Sequence, residues 1–292
     1  MKKLDFLAGL CFLAISIAVG GCCTSKTSDN PVVKTSQGKI SGFIDEGIYT
    51  FKGIPYAKAE RFMPPQQPDA WKGVRECVEF SKIAMQVNSW SPDSAMDEKE
   101  MFTLNVWSQG LNDGKKRAVM VWLHGGGFST GASDDPISHG KMLAQTGDVV
   151  LVSVNHRLNI LGFLDLSACG DAYAQSANVG MLDIVEALKW VQQNIEKFGG
   201  DPNNVTIFGE SGGGGKVGTL MCMPPAKGLF HKAIIQSGTL INVMTKEKST
   251  AVGLALLEVL GLTPEQVGQL DSIPYKALVE AGDKALANTV GT

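Results

Sequence analysis

Two short apolar runs in this chain end directly in glycine-rich turns, and this pattern constrains the fold more than any other feature. Residues 118–123 lead into His124, three glycines and Phe128, while residues 205–208 lead into Gly-Glu-Ser-Gly-Gly at 209–213. Short runs with hardly a polar residue are typical of strands buried on both faces of a parallel sheet. The pattern therefore predicts an α/β fold whose carboxyl sheet edge carries both turns.

The rest of the chain fits that prediction. Residues 149–154 and 233–235 are further short apolar runs, and residues 32–51 alternate as short antiparallel strands do. Apolar residues recur at amphipathic-helix spacing at Ile184, Val185, Leu188, Val191, Ile195 and Phe198. Helices and loops are expected past residue 240, at 251–260, 264–270 and 275–287. Strands alternating with helices predict a mostly parallel sheet with helices on both faces.

Composition excludes several classes of protein. Hydrophobic residues make up 44% of the 292 residues and charged residues 19%, which excludes a disordered chain. A net charge of −3 lacks the excess of positive charge that is typical of nucleic-acid-binding proteins. The histidines His124, His139, His156 and His231 lack metal-ligand spacing, so no metal or cofactor is expected. Cys77, Cys169 and Cys222 are too widely spaced for a disulfide framework, and we expect them to be buried and unpaired.

The N-terminus has the pattern of an export signal. Two lysines precede an uncharged apolar run at 6–19, which is shorter than the ~20 residues that span a bilayer. Residues 19–22, Val-Gly-Gly-Cys, resemble the lipobox of bacterial lipoproteins. We expect a signal peptide at 1–21, an acylated Cys22 that anchors the protein in the bacterial cell envelope, a flexible tether at 22–30 and one domain at 31–292. The alternative is an ordinary signal peptide without a lipid anchor.

The turn at 209–213 matches the G-x-S-x-G pattern of a nucleophile elbow, between an apparent strand and a helix. In that geometry Ser211 sits on a strained turn beside a helix N-terminus, where free N–H groups stabilise an oxyanion. Three consecutive glycines at 125–127 likewise leave backbone N–H groups uncovered. A phosphate-binding P-loop is excluded because neither glycine run is followed by Gly-Lys-Ser/Thr. A dinucleotide site is disfavoured because neither run has the G-x-G-x-x-G order.

Residues 198–213 resemble the active-site signature of the type-B carboxylesterases, a family with the α/β-hydrolase fold. Further blocks similar to the family's occur in order at 51–57, 104–107, 155–163, 178–183 and 228–231. The resemblance implies that Ser211 is the nucleophile and that the N–H groups of Gly126, Gly127 and Gly212 form the oxyanion hole. It also implies that His124 and Gly125 support this loop and that Glu210 is a buried carboxylate beside the nucleophile. The implied substrate is a small carboxylic ester.

The chain departs from the family pattern in two places. Met101 stands where the family usually has a disulfide-forming cysteine, so that bridge is not expected. Gly212 replaces the usual alanine after the nucleophile and opens a run of four glycines that ends at Lys216. Each glycine inside a helix costs about 1 kcal/mol relative to alanine. We therefore expect the helix behind Ser211 to start late or loosely.

The catalytic triad cannot be completed from this sequence. In α/β-hydrolases the order along the chain is serine, then acid, then histidine. After Ser211 the only histidine is His231, and no Asp or Glu lies between them. The chain therefore resembles the N-terminal part of an esterase, inactive or nearly so by itself, whose strand at 233–235 would be an edge. The alternative is a non-catalytic, esterase-like surface binding protein.

Overall fold

The computed structural model describes residues 30–87, 89, 94–239 and 243–290. The predicted signal peptide, Cys22 and nearly all of the tether lie outside the described residues. Within the described part, none of the helices is both long and apolar enough to cross a membrane.

Strands and helices alternate through the middle of the chain as the sequence predicts. The strands are β1 Val32–Lys34, β2 Lys39–Ser41, β3 Phe43–Asp45, β4 Ile48–Pro55, β5 Val74–Glu76, β6 Thr103–Ser108, β7 Arg117–Leu123, β8 Val150–Val154, β9 Gly200–Glu210 and β10 Lys232–Gln236. The helices are α1 Lys141–Gly147, α2 Asn159–Phe163, α3 Val179–Asn194, α4 Gly212–Cys222, α5 Lys246–Val259 and α6 Tyr275–Val290. Residues 264–272, expected as helix or loop, form a 3-10 helix.

The main sheet has seven strands in the order β10-β9-β7-β8-β6-β4-β3. The pairs among β10, β9, β7 and β8 are parallel, whereas β6, β4 and β3 pair antiparallel. The sheet is therefore mixed, and the predicted parallel pairing holds in the half that carries both glycine-rich turns. Strands β1, β2 and β5 form a separate three-stranded sheet.

Helices cover both faces of the main sheet. Val150, Val152 and Val154 of β8 belong to the core cluster that contains the apolar side of α3. Leu151, between them, packs in a different cluster with Ala144 of α1. Since successive side chains of a strand point to opposite faces, α1 and α3 lie on opposite sides of the sheet. The predicted two-sided architecture is confirmed.

The C-terminal helices do not cover the end of the sheet. Helices α5 and α6 pack with α2 in a second apolar cluster, which includes Phe62, Leu161 and Leu256. Strand β10 pairs only with β9, and its Ile234 and Ile235 side chains are 44% and 38% exposed. The sequence pattern at 233–235 suggested a buried strand, which is wrong, whereas the expectation that this strand is an edge is confirmed for the described residues. An exposed edge of this kind favours association with other chains.

Candidate active site

Ser211 lies on a sharp turn between β9 and α4. Its backbone has φ 53° and ψ −122°, a conformation that residues other than glycine rarely adopt. A methyl group on Gly209 would lie 2.5 Å from the carbonyl carbon of Gly213, and one on Gly213 would lie 2.0 Å from the Leu123 oxygen. The turn therefore needs glycine on both sides of the serine. This is the strand–turn–helix geometry of a nucleophile elbow.

Helix α4 starts at Gly212, immediately after the serine, so the expected late or loose start is wrong. Tertiary contacts outweigh the low helix propensity of the four glycines. A methyl group on Gly212 would lie 2.5 Å from the Gly127 nitrogen, and one on Gly214 would lie 3.0 Å from the Gly238 Cα. The helix can approach these two backbone segments only because it lacks side chains there.

The glycine loop after β7 meets the elbow as the sequence predicts. A Cβ on Gly125 would lie 3.1 Å from the Glu210 carbonyl oxygen and 3.6 Å from the Ser211 Cβ. Gly127 closely approaches Gly212, so the loop that carries the predicted donors Gly126 and Gly127 meets the start of α4. The nucleophile and the three predicted donor residues are thus neighbours.

Backbone hydrogen bonds hold the carbonyl groups of this loop. The Gly126 oxygen accepts from the backbone N–H groups of Ser129 and Thr130, each at 3.0 Å, and the Phe128 oxygen accepts from the Asn159 N–H at 2.8 Å. The Gly126 and Gly127 N–H groups find no acceptor among the described residues. Two unpaired N–H groups beside a serine are what an oxyanion hole needs.

No base reaches the nucleophile within the described part of the chain. None of its side chains forms a hydrogen bond with the Ser211 Oγ. His231 lies just before β10, where its Nδ1 accepts from the Val205 N–H at 3.2 Å. Ser211 follows the opposite end of β9, roughly 20 Å away at about 3.3 Å per residue. His231 is therefore structural, as the sequence predicts.

Two other predictions about individual residues are wrong. Glu210, the last residue of β9, is exposed rather than buried. Cys222 is exposed and Cys169 half-buried, so only Cys77 is the buried thiol that was expected; all three are unpaired.

Met101 is buried and lines a cavity of about 500 Å³ with Met85, Phe102 and Leu161. This cavity is separate from Ser211.

A buried basic cluster lies behind the glycine loop, and no pattern in the sequence predicts it. The Lys216 side chain is fully buried, and its Nζ donates a 2.8 Å hydrogen bond to the His124 carbonyl oxygen. The rings of His124 and His156 stack with centroids 4.8 Å apart. Burial lowers the pKa of Lys216 to about 7. Burial and, secondly, the charge of Lys216 lower the pKa values of both histidines well below 6.5.

A buried ion pair supports the loops at this edge. Arg157, which follows β8, donates from Nη2 and Nε to the two carboxylate oxygens of Asp183 at 2.7 and 2.9 Å. Its Nη1 also donates to the Met63 carbonyl oxygen at 2.8 Å. Both residues belong to blocks that were singled out in the sequence, but their pairing was not predicted. Within the described residues, no group of His, Cys, Asp and Glu is arranged to hold a metal ion.

The model of the carboxylesterase family matches residues 29–290. The chain belongs to the carboxylesterase family. The para-nitrobenzyl esterase of Bacillus subtilis (strain 168) is 40% identical over 261 residues, which are 87% of this chain and 53% of that relative. Phenmedipham hydrolase of Pseudarthrobacter oxydans is 36% identical, over 86% of this chain and 51% of the relative. The resemblance stated from the sequence is confirmed.

Solved carboxylesterase structures share the fold. A carboxylesterase of Geobacillus stearothermophilus matches with a TM-score of 0.80 and 44% identity, over 89% of this chain and 54% of that chain. An esterase of Clostridium hathewayi, described as hydrolysing aliphatic aromatic polyesters, matches with a TM-score of 0.81 and 44% identity, over 89% and 55%. This carboxylesterase chain has the α/β-hydrolase fold and spans about half the length of the relatives that it matches.

The buried cluster predicts that stability rises with pH. The folded-state pKa of Lys216 is about 7 and its ordinary value is 10.5, so the unfolded chain holds an extra proton between these values. The contribution of Lys216 is therefore greatest above pH 10.5 and is lost as the pH falls to about 7. Stability falls again below 6.5, where unfolding allows His124 and His156 to be protonated. Urea unfolding from pH 5 to 10 measures both steps.

Lys216→Met isolates the lysine contribution in that experiment. We expect this variant to lose the rise above pH 7 and to keep the fall below pH 6.5. A Lys216→Met profile parallel to the wild type above pH 7 would show that Lys216 does not titrate there.

Proposed function

We propose that this protein hydrolyses small carboxylic esters through an acyl-enzyme on Ser211. The observation that carries the proposal is the strained Ser211 elbow beside the unpaired N–H groups of Gly126 and Gly127. The Ser211 Oγ attacks the ester carbonyl, and these groups with the Gly212 N–H hold the oxyanion. The alcohol then leaves, and water attacks the acyl group to release the acid and regenerate the serine hydroxyl.

The proposed reaction needs a base that the described residues do not supply. A serine hydroxyl without an adjacent base is a weak nucleophile near neutral pH. In this family's fold the serine is followed along the chain by an acid and then a histidine. We therefore assign the base and its orienting acid to chain that lies beyond the described residues of a longer protein.

Ester turnover tests this proposal. We define the completed chain as residues 22–292 continued by the C-terminal half of the Bacillus subtilis para-nitrobenzyl esterase. Residues 22–292 alone should hydrolyse para-nitrophenyl acetate very slowly, whereas the completed chain should turn it over. Turnover by residues 22–292 that Ser211→Ala abolishes would mean that a residue of this chain acts as the base. A folded completed chain without turnover would favour the alternative, a non-catalytic surface binding protein.

Replacing Gly126 is expected to damage the oxyanion hole. Gly126 has φ +91°, and a Cβ there would lie 2.2 Å from the Thr130 carbonyl oxygen, so alanine must displace the loop. We expect Gly126→Ala to lower the turnover of the completed chain by about 10²-fold or more, as the loss of an oxyanion donor does. Gly73→Ala is the matched control, because Gly73 has φ +78° and open space around it. Equal losses in both variants would contradict the role of Gly126.

We also propose that Cys22 becomes the lipid-modified N-terminus of a protein of the bacterial envelope. Support comes from the two lysines, the short apolar run and the lipobox-like residues 19–22. Metabolic labelling with a fatty-acid analogue should mark the wild type and Cys23→Ser but not Cys22→Ser. Unchanged labelling of Cys22→Ser would exclude this anchor.

A further inference from the structure

Lys216 is buried in surroundings that do not favour a lysine. Its side chain is fully buried, no carboxylate pairs with it among the described residues, and its only hydrogen-bond partner there is the His124 carbonyl oxygen. The Phe128 ring centroid lies 5.5 Å from Nζ. Burying an amine without a counter-ion costs free energy, and an apolar side chain of similar volume is often more stable there. The contact with His124 therefore calls for an explanation other than stability.

That contact joins the two parts of the proposed oxyanion hole, which are the glycine loop and the start of α4. The His124 oxygen belongs to the peptide unit that also contains the Gly125 N–H, so fixing this oxygen fixes the plane from which the glycine loop starts. The other bonds to the loop's carbonyl groups come from the backbone N–H groups of Ser129, Thr130 and Asn159 and from side chains within residues 124–130 itself. Lys216 instead reaches the loop across 92 residues of sequence, from the helix that follows Ser211.

We propose that Lys216 is a positioning residue that sets the distance of the Gly126 and Gly127 N–H groups from Ser211. This inference rests on the proposed function. Helix α4 carries Ser211 at its N-cap, Gly212 at its first position and Lys216 one turn later. A hydrogen bond from Lys216 to His124 therefore ties the donors of the loop to the helix that holds the nucleophile.

Gly212 supports the same interpretation. The family usually has alanine at this position, but here a Cβ would lie 2.5 Å from the Gly127 nitrogen. A real Cβ does not tolerate that distance, so the loop sits closer to α4 than an alanine would allow. Lys216 holds the start of the loop against α4, and Gly212 leaves the space for its end. Lys216 and Gly212 therefore act on the same contact between loop and helix.

Amide hydrogen exchange of the 292-residue chain tests the positioning directly and does not need turnover. We compare wild type with Lys216→Met, which keeps the volume and removes the donor. Thr219→Val is the control, because its hydroxyl bonds only the Gly215 carbonyl within α4. Peptides that cover residues 124–130 should exchange about tenfold faster in Lys216→Met and at the wild-type rate in Thr219→Val. Wild-type exchange of this loop in Lys216→Met overturns the proposal.

A second measurement separates positioning from a purely structural role. The maximal rate at which a fluorophosphonate probe labels Ser211 of the completed chain should fall at least tenfold in Lys216→Met. The probe concentration that gives half of the maximal rate should not change. Wild-type labelling rates in a variant with a loosened loop would overturn the catalytic part of the inference. If the completed chain with the wild-type sequence is not labelled, the proposed function fails, while the exchange result still decides whether Lys216 holds the loop.

A third variant covers the case in which Lys216→Met does not fold. Exchange in α3 peptides reports on folding, since this helix packs in the main core. Lys216→Leu also removes the donor, and we expect its loop to exchange about tenfold faster and its Ser211 to be labelled at least tenfold more slowly than in wild type. Wild-type loop exchange and labelling in folded Lys216→Leu overturn the dependence on this bond.

Discussion

Ser211→Ala is expected to abolish covalent labelling of the completed chain by a fluorophosphonate probe and to lower ester turnover by roughly 10⁶-fold. The substitution removes the only atom that forms the acyl bond in the proposed mechanism. Residual hydrolysis would come from the oxyanion hole alone. In-gel fluorescence measures labelling, and the release of para-nitrophenol measures turnover.

The control for this experiment is another serine with a positive φ angle. Ser237 has φ 52°, close to the 53° of Ser211, and it lies on the turn after β10. Ser237→Ala should keep both labelling and turnover, because its hydroxyl has no part in the proposed reaction. Labelling that persists in Ser211→Ala would show that a different residue is the nucleophile.

Asp183→Asn is expected to cause the largest loss of stability. Asp183 is completely buried, and its carboxylate receives three hydrogen bonds from Arg157, from Nη2, Nε and the backbone N–H. Asparagine keeps the shape but leaves the buried guanidinium without a counter-charge. Breaking a buried pair in this way costs about 3–5 kcal/mol of unfolding free energy. Urea denaturation followed by circular dichroism measures it.

An exposed ion pair supplies the comparison for Asp183. Lys58 and Asp69 lie 2.6 Å apart, and the Asp69 side chain is 85% exposed. Because water screens such a pair, Asp69→Asn should change the unfolding free energy by no more than about 1 kcal/mol. If Asp183→Asn cost as little as Asp69→Asn, the Arg157 pair would not be a main support of the loops around the site.

Local patterns in the sequence were sufficient to place the Ser211 elbow and the glycine loop. The run 205–208 followed by Gly-Glu-Ser predicts the elbow because the hydrophobic burial of a strand and the backbone freedom of glycine both act within a few residues. The same reasoning placed α3 from its apolar spacing. The missing order of acid and histidine after Ser211 was also visible, since it requires only the sequence of residue types along the chain.

The tertiary structure decided what depends on distant contacts. No local pattern shows that α4 starts at once after Ser211, because the reason is the close approach of its glycines to Gly127 and Gly238. Nor does the sequence show that Glu210 and the side chains of β10 are exposed, since burial depends on which elements pack there.

Lys216 is the clearest example of this division. From the sequence alone it resembles a solvent-exposed lysine on a helix. Only the fold brings its Nζ to the His124 carbonyl oxygen, 92 residues away in the sequence. The sequence alone therefore determined the family pattern, the position of Ser211 in its elbow and the strand–turn–helix elements, because these follow from residue types a few positions apart. The fold decided the partners, burial and pKa of the groups around them, because these properties depend on segments that only chain folding brings into contact.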